Sequence, residues 1–227
     1  MYHNFLEPLV RRRCGGGTVR MLEIGLGCGS YALSKGAHHG AGAGGSAMGW
    51  LSLFPADLIR FDFHIMEYDK TCAMRWATKH PEAAVRMHIG NQGNRSDLAR
   101  LFEDSGGVPF DIVIDDGSHL NEHQRFTLNE TLSKERVARG GIYVVEDAIS
   151  ACKNFAINEP KGADYAYKNR KGFRRTGGAG PSCSDHRKGT IFDLAVEHQR
   201  LLLQRSLPLP HVRQIAMFEE AVAYKLS

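Results

Sequence analysis

Short apolar runs recur along the chain at Arg20 to Ile24, Phe61 to Met66, Ala84 to Ile89, Phe110 to Ile114 and Ile142 to Val145. Between them, Lys70 to His80, Arg95 to Glu103 and Glu122 to Glu135 mix apolar and charged residues over helical lengths, with Ser96 and Asn121 at the expected cap positions. Strands alternating with helices predict an α/β chain with a parallel, doubly wound sheet. The runs at 110–114 and 142–145 are nearly all apolar, as central strands covered on both faces must be. Past Ser150 the pattern changes. Lys161 to Gly189 is rich in Gly, Lys and Arg without periodicity and reads as a mobile basic loop, and Thr190 to Gln204 reads as helix. Val212 to Met217 and Ala221 to Leu226 read as two strands too close in sequence for a helical crossover, hence an antiparallel hairpin.

The chain has 227 residues, which reads as a single domain over 1–227 that can bury a full core. Hydrophobic residues make up 42% and charged residues 24%, with a formal net charge of +4, too small a surplus to argue for nucleic acid as a partner. No apolar run reaches the length of a membrane span or a signal peptide. The five cysteines, Cys14, Cys28, Cys72, Cys152 and Cys183, are scattered and odd in number. They indicate neither a disulfide framework nor a zinc site, and the expected compartment is reducing, the cytoplasm. The first strand begins early enough that a longer N-terminal region could precede it. The pattern neither requires nor excludes a homo-oligomer.

Candidate chemistry gathers where strands end. Glu23-Ile-Gly-Leu-Gly-Cys-Gly29 follows the first strand, and its glycines at Gly25, Gly27 and Gly29 resemble the E/D-x-G-x-G-x-G turn of S-adenosylmethionine-dependent methyltransferases more than the dinucleotide G-x-G-x-x-G. Such glycines permit positive φ and let backbone approach a cofactor closely. Glu67, at the end of the second strand, is placed to accept from ribose hydroxyls, with Asp69 as competitor and a helix-capping role as the plain alternative for either. Between turn and acid lies a glycine-rich insertion at 34–49 carrying His38 and His39, longer than the separation of about 20 residues usual for the motif, followed by a short helix around Trp50 to Phe54. Asn91 and Gln92, after the third strand, can each donate and accept, as adenine recognition requires.

Paired carboxylates end the fourth and fifth strands, in Phe110-Asp-Ile-Val-Ile-Asp-Asp-Gly-Ser-His119 and Gly140-Gly-Ile-Tyr-Val-Val-Glu-Asp147. Adjacent strands lie about 4.8 Å apart, so Asp116, Glu146 and Asp147 can converge on one ion; hard oxygen donors suit Mg²⁺ or Mn²⁺. Period-two alternation turns Asp115 away from Asp116, toward packing near the cofactor or bonding backbone amides. His119, three residues past Asp116, could orient substrate or act as a base near neutral pH, and either Asp116 or His119 could take a proton. Helix capping by these acids is the plain alternative.

Leu22-Glu-Ile-Gly, Asp115-Asp-Gly-Ser-His119 with His123-Gln124, and Gly140 to Asp147 together resemble the metal-dependent sugar O-methyltransferases of macrolide antibiotic biosynthesis and the related cephalosporin hydroxylase-like family, over about residues 18 to 150. Catechol-type O-methyltransferases are similar more distantly. The resemblance implies a class I methyltransferase fold: a Rossmann-like sheet of seven strands, mostly parallel, with the C-terminal antiparallel hairpin. It implies S-adenosylmethionine, with Glu23, Gly25, Gly27, Gly29, Glu67, Asn91, Gln92 and Asp115 around it. It also implies Mg²⁺ on Asp116, Glu146 and Asp147, a diol-bearing sugar on the metal, and His119 as the active-site histidine. The chain departs from the family in having Gly90-Asn91-Gln92 where Gly-Asp-Gln is common, in the 34–49 insertion, and in lacking the long N-terminal region of the macrolide enzymes. The expected activity is transfer of a methyl group to a hydroxyl of a small natural-product molecule. Methylation of RNA or another nucleic acid through the basic loop, or NAD-dependent oxidoreduction, are the alternatives. In the basic loop, Tyr165, Tyr167 and Phe173 could stack on a ring while Lys168, Arg174 and Arg175 attract an acid.

Overall fold

The structure, a computed structural model, describes residues 2–13, 17–28, 43–54, 59–148, 189–218 and 220–227. Gly29, the first part of the glycine-rich insertion with His38 and His39, and the basic loop up to its last residue, with Tyr165, Tyr167, Lys168, Phe173, Arg174 and Arg175, lie outside the described residues.

Seven strands, β1 (Thr18–Ile24), β2 (Arg60–Glu67), β3 (Arg86–Ile89), β4 (Phe110–Asp115), β5 (Val137–Val145), β6 (Val212–Met217) and β7 (Val222–Leu226), form one sheet in the order β3-β2-β1-β4-β5-β7-β6. The first five are mutually parallel, and β7 runs antiparallel to both β5 and β6. This is the predicted parallel sheet with its closing hairpin. Every residue of β4 is buried, because helices cover both faces.

On one face lie α1 (Tyr2–Arg13), α2 (Gly45–Leu53) and α3 (Lys70–Lys79), whose Phe5, Leu6, Leu9, Ala47, Ala73 and Trp76 pack against Met21, Phe63, Ile65 and Ile112. On the other lie α4 (Arg95–Asp104), α5 (Asn121–Ser133) and α6 (Ile191–Leu203), whose Leu98, Leu101, Leu128, Leu132 and Leu194 pack against Leu22, Val113, Tyr143 and Tyr224. Periodicity alone left α1 unassigned, although Phe5, Leu6 and Leu9 have helical spacing and Arg11, Arg12 and Arg13 suit its C-terminal end.

Four sequence expectations are corrected. The cap of α4 is Asn94, whose Oδ1 accepts from the amides of Ser96 and Asp97 at 2.9 and 3.3 Å, so Ser96 is already inside the helix. Asn121 is likewise the first residue of α5, after Leu120. The cysteines are not all unpaired: Cys28 and Cys72 form a disulfide across 44 positions of sequence, because parallel pairing of β1 with β2 brings the turns after both strands together. The short helix expected near Trp50 to Phe54 begins earlier, at Gly45. Among the described residues no helix is long and apolar enough to cross a membrane.

Candidate active site

The carboxyl ends of the central strands are in register, Ile24 opposite both Met66 and Asp115, and Asp115 opposite Val145. The residues that follow therefore leave the sheet along one edge. Backbone bonds fix their exits: Gly25 N–H donates to Met66 O at 2.8 Å, Asp116 N–H to Ile24 O at 2.9 Å and Glu146 N–H to Asp115 O at 2.9 Å. Gly25 (φ 100°) and Gly27 (φ 75°) take the left-handed conformations predicted for the turn. A Cβ on Gly25 would sit 2.1 Å from Asp116 O, so the glycine is what lets the β1 and β4 turns touch and brings Asp116 beside the glycine turn.

At this edge Asp116, His119 and Asp147 present ligand atoms all within 4.8 Å of one another. His119 Nε2 lies 3.6 Å from Asp147 Oδ2 and 3.9 Å from Asp116 Oδ1. His119 (φ 55°) and Asp147 (φ 47°) both hold left-handed backbone, which is rare for side-chain-bearing residues and concentrates at functional sites. Glu146 is adjacent, but its Oε1 accepts a hydrogen bond from the Tyr2 hydroxyl of α1.

Negative charge is crowded here. Burial, then the neighbouring Asp147, Glu23 and Asp115, push the Asp116 carboxyl up to about 8. Burial and Asp147 push Glu146 up to about 7. Burial also pushes Glu23 up to about 7, opposed by the Ser46 and Trp50 side chains, and neither of its buried oxygens meets a donor in good hydrogen-bond geometry. Burial lowers His119, with Asp147 opposing, which favours the neutral imidazole. Acids that repel one another in a desolvated site are stabilised by a bound cation, and hard carboxylate oxygens suit Mg²⁺ or Mn²⁺.

The other predicted residues divide. Asp115 is fully buried and accepts from Gln92 Nε2 at 2.8 Å and Tyr143 Oη at 3.0 Å, turned away from Asp116 as alternation required. Gln92 also takes the Ser118 amide on its Oε1 at 2.6 Å, so its amide group ties the turn after β3 to the turn after β4. Asn91 folds onto its own turn, accepting from Gly93 N at 2.8 Å. Glu67 accepts from Leu26 N at 2.9 Å and Asp69 N at 2.8 Å, clasping the glycine turn to the turn after β2. Asp69 caps α3 through the Cys72 amide, which settles it as the capping member of that pair. Tyr2 and Trp50, whose rings meet edge to face at 5.1 Å, had no signal in the sequence, since each arrives from a helix packed on the sheet face. A cavity of about 110 Å³ is lined by Met66, Ile89 and Asp97 where β2 and β3 end, and one of about 460 Å³ by Arg13, Thr18 and Asp111.

Mycinamicin VI 2''-O-methyltransferase of Micromonospora griseorubida is 36% identical over 133 residues, 59% of this chain and 28% of that protein. Demethylmacrocin O-methyltransferase of Streptomyces fradiae matches with the same identity and coverage. L-olivosyl-oleandolide 3-O-methyltransferase of Streptomyces antibioticus is 33% identical over 133 residues, 59% of this chain and 29% of its own. The chain is a relative of the macrolide sugar O-methyltransferases. It spans under a third of the length of these relatives. No protein-family model matches it.

Among solved structures, the MycE methyltransferase of the mycinamycin pathway, in complex with Mg, SAH and mycinamycin VI, has a TM-score of 0.63 at 24% identity, covering 100% of this chain and 49% of that one. The SAH-bound Podospora anserina methyltransferase PaMTH1 has a TM-score of 0.53 at 15% identity, covering 98% and 76%. Both likenesses concern the fold, and the seven-stranded mixed sheet is that of the class I methyltransferases. An antiparallel β7 inserted beside β5 also separates this sheet from the six-stranded dinucleotide-binding order.

Proposed function

We propose that this relative of the sugar O-methyltransferases transfers the methyl group of S-adenosylmethionine to a hydroxyl of a small diol-bearing molecule, a sugar being the favoured class, in the cytoplasm. One observation carries the reading: Asp116, His119 and Asp147 converge within 4.8 Å beside the left-handed glycine turn, at the carboxyl edge of the sheet. The names of the relatives support it: all are O-methyltransferases, and that of L-olivosyl-oleandolide carries a sugar unit in its substrate's name.

The assigned Mg²⁺ ligands are Asp116, Glu146 and Asp147; Mn²⁺ would fit the same donors. Bound there, the cation would lower the pKa of an acceptor hydroxyl and orient it. His119, held toward its neutral form by burial and 3.6 to 3.9 Å from two of these acids, is assigned to take the hydroxyl proton through Nε2, with Asp116 as the alternative base. Glu23, Gly25, Gly27 and Glu67 are assigned to the cofactor's edge. The roles of Asn91, Gln92 and Asp115 are indirect in this reading: they set the shape of the β3 and β4 turns on which the cofactor would rest.

Isothermal titration tests the assignment. S-adenosylhomocysteine is expected to bind the wild-type chain, and Mg²⁺ to bind it but not Asp116→Ala. Unchanged Mg²⁺ affinity in that variant overturns the metal assignment, and absence of S-adenosylhomocysteine binding overturns the cofactor.

A further inference from the structure

Cys28 lies in the glycine turn after β1, and Cys72 stands in the first turn of α3, just past Glu67 and Asp69. Their disulfide, with Cα atoms 6.0 Å apart, joins the two turns that the cofactor reading assigns to the ligand's edge. The same turns are already clasped through Glu67, whose two oxygens accept from Leu26 N and Asp69 N, and through the Gly25 N–H to Met66 O bond. The covalent link therefore lies across the cofactor edge rather than at a remote surface. Its two ends differ in access: Cys28 is 2% exposed, whereas Cys72 is only partly buried.

We propose that Cys28 and Cys72 are a reversible thiol–disulfide site that sets how tightly the cofactor cleft grips its ligand. The inference rests on the cofactor reading above. The oxidant is a small-molecule disulfide of the glutathione class. The Cys72 thiolate, the more accessible sulfur, attacks one sulfur of that disulfide and expels the other as a thiolate. Cys28 then attacks the Cys72 sulfur of the mixed disulfide and expels the second small thiol. Two electrons pass from the protein dithiol to the small disulfide, whose sulfurs leave as two thiols carrying the two protons. A dithiol reductant reverses the reaction. In a reducing compartment such a bond is transient and sensing, which reconciles it with a cytoplasmic enzyme.

Oxidised, the spacing of the two turns is fixed before the ligand arrives, so less ordering is left to be done on binding. Reduced, the Glu67 clasp and the strand ladder alone hold them. The full chain, treated with glutathione disulfide or with a phosphine reductant, is titrated calorimetrically with S-adenosylhomocysteine, and its free thiols are counted after denaturation. The oxidised chain is expected to show two fewer thiols, with Cys28 and Cys72 in one linked peptide by mass mapping, and a Kd about tenfold lower. Cys72→Ser is expected to bind like the reduced chain and to ignore the oxidant. Equal thiol counts, or equal Kd in the two states, overturn the proposal while leaving the cofactor reading standing. Binding in neither state overturns both.

Discussion

Asp115 and Asp116 are neighbours in sequence with opposite fates. Strand alternation aims Asp115 inward, where Gln92 and Tyr143 hold it, and the end of β4 releases Asp116 to the edge. Burial pushes Asp115 up to about 6 against those two hydrogen bonds and that of the Gly117 amide. Asp115→Ala is expected to cost about 3 kcal/mol in urea denaturation, since it strands a buried phenol and a buried amide. A loss under about 1 kcal/mol would show that water replaces the carboxylate. The separation of these two acids was legible from period two alone. The role of Gln92 was not: an amide after β3 reads as ligand-facing until the β4 turn is known to supply the Ser118 amide and Asp115 on its other side.

Elements follow the same division. Five parallel strands and the closing hairpin were legible because buried strands are nearly continuous apolar runs. Helix ends were less so, since a cap is defined by which side chain reaches back to the first amides. Asn94 does this for α4, and the Ser96 hydroxyl donates to Asn94 Oδ1 at 2.6 Å instead of accepting from an amide. Asn94→Ala is expected to lower stability by about 1 kcal/mol and Ser96→Ala by less than about 0.5 kcal/mol, measured by chemical denaturation. The reverse order would restore Ser96 as the cap. α6 carries the fuller device, a box in which Thr190 Oγ1 accepts from Asp193 N at 3.1 Å and Asp193 accepts from Thr190 N at 3.1 Å.

At the scale of the whole molecule, buried titrating groups set a pH window for the ligand-free chain. His64, fully buried between Asp62 and His88, is lowered to about 4 by burial, with Asp62 opposing. A histidine with a depressed folded pKa favours folding above its unfolded value and loses that contribution as pH falls, here about 3 kcal/mol between pH 6.5 and 4. Glu23, Asp116 and Glu146 are raised instead, so their contribution is complete below the ordinary carboxylate range and lost as pH rises through about 7 to 8. Because these three carboxyl groups together outweigh His64, the melting temperature of the ligand-free chain is expected to fall as pH rises from about 5 to 8, and millimolar Mg²⁺ to restore it toward pH 8. No effect of Mg²⁺ there would mean that the acidic edge holds no cation. The sequence by itself determined the alternation of strands and helices, the glycine turn and the acids at strand ends, because period, φ preference and hard-donor chemistry are local properties. Only the tertiary structure decided that Cys28 meets Cys72, that Tyr2 meets Glu146, and that Gln92 turns inward. Those pairings join residues far apart in the chain, and parallel register and helix packing bring them together with no local trace.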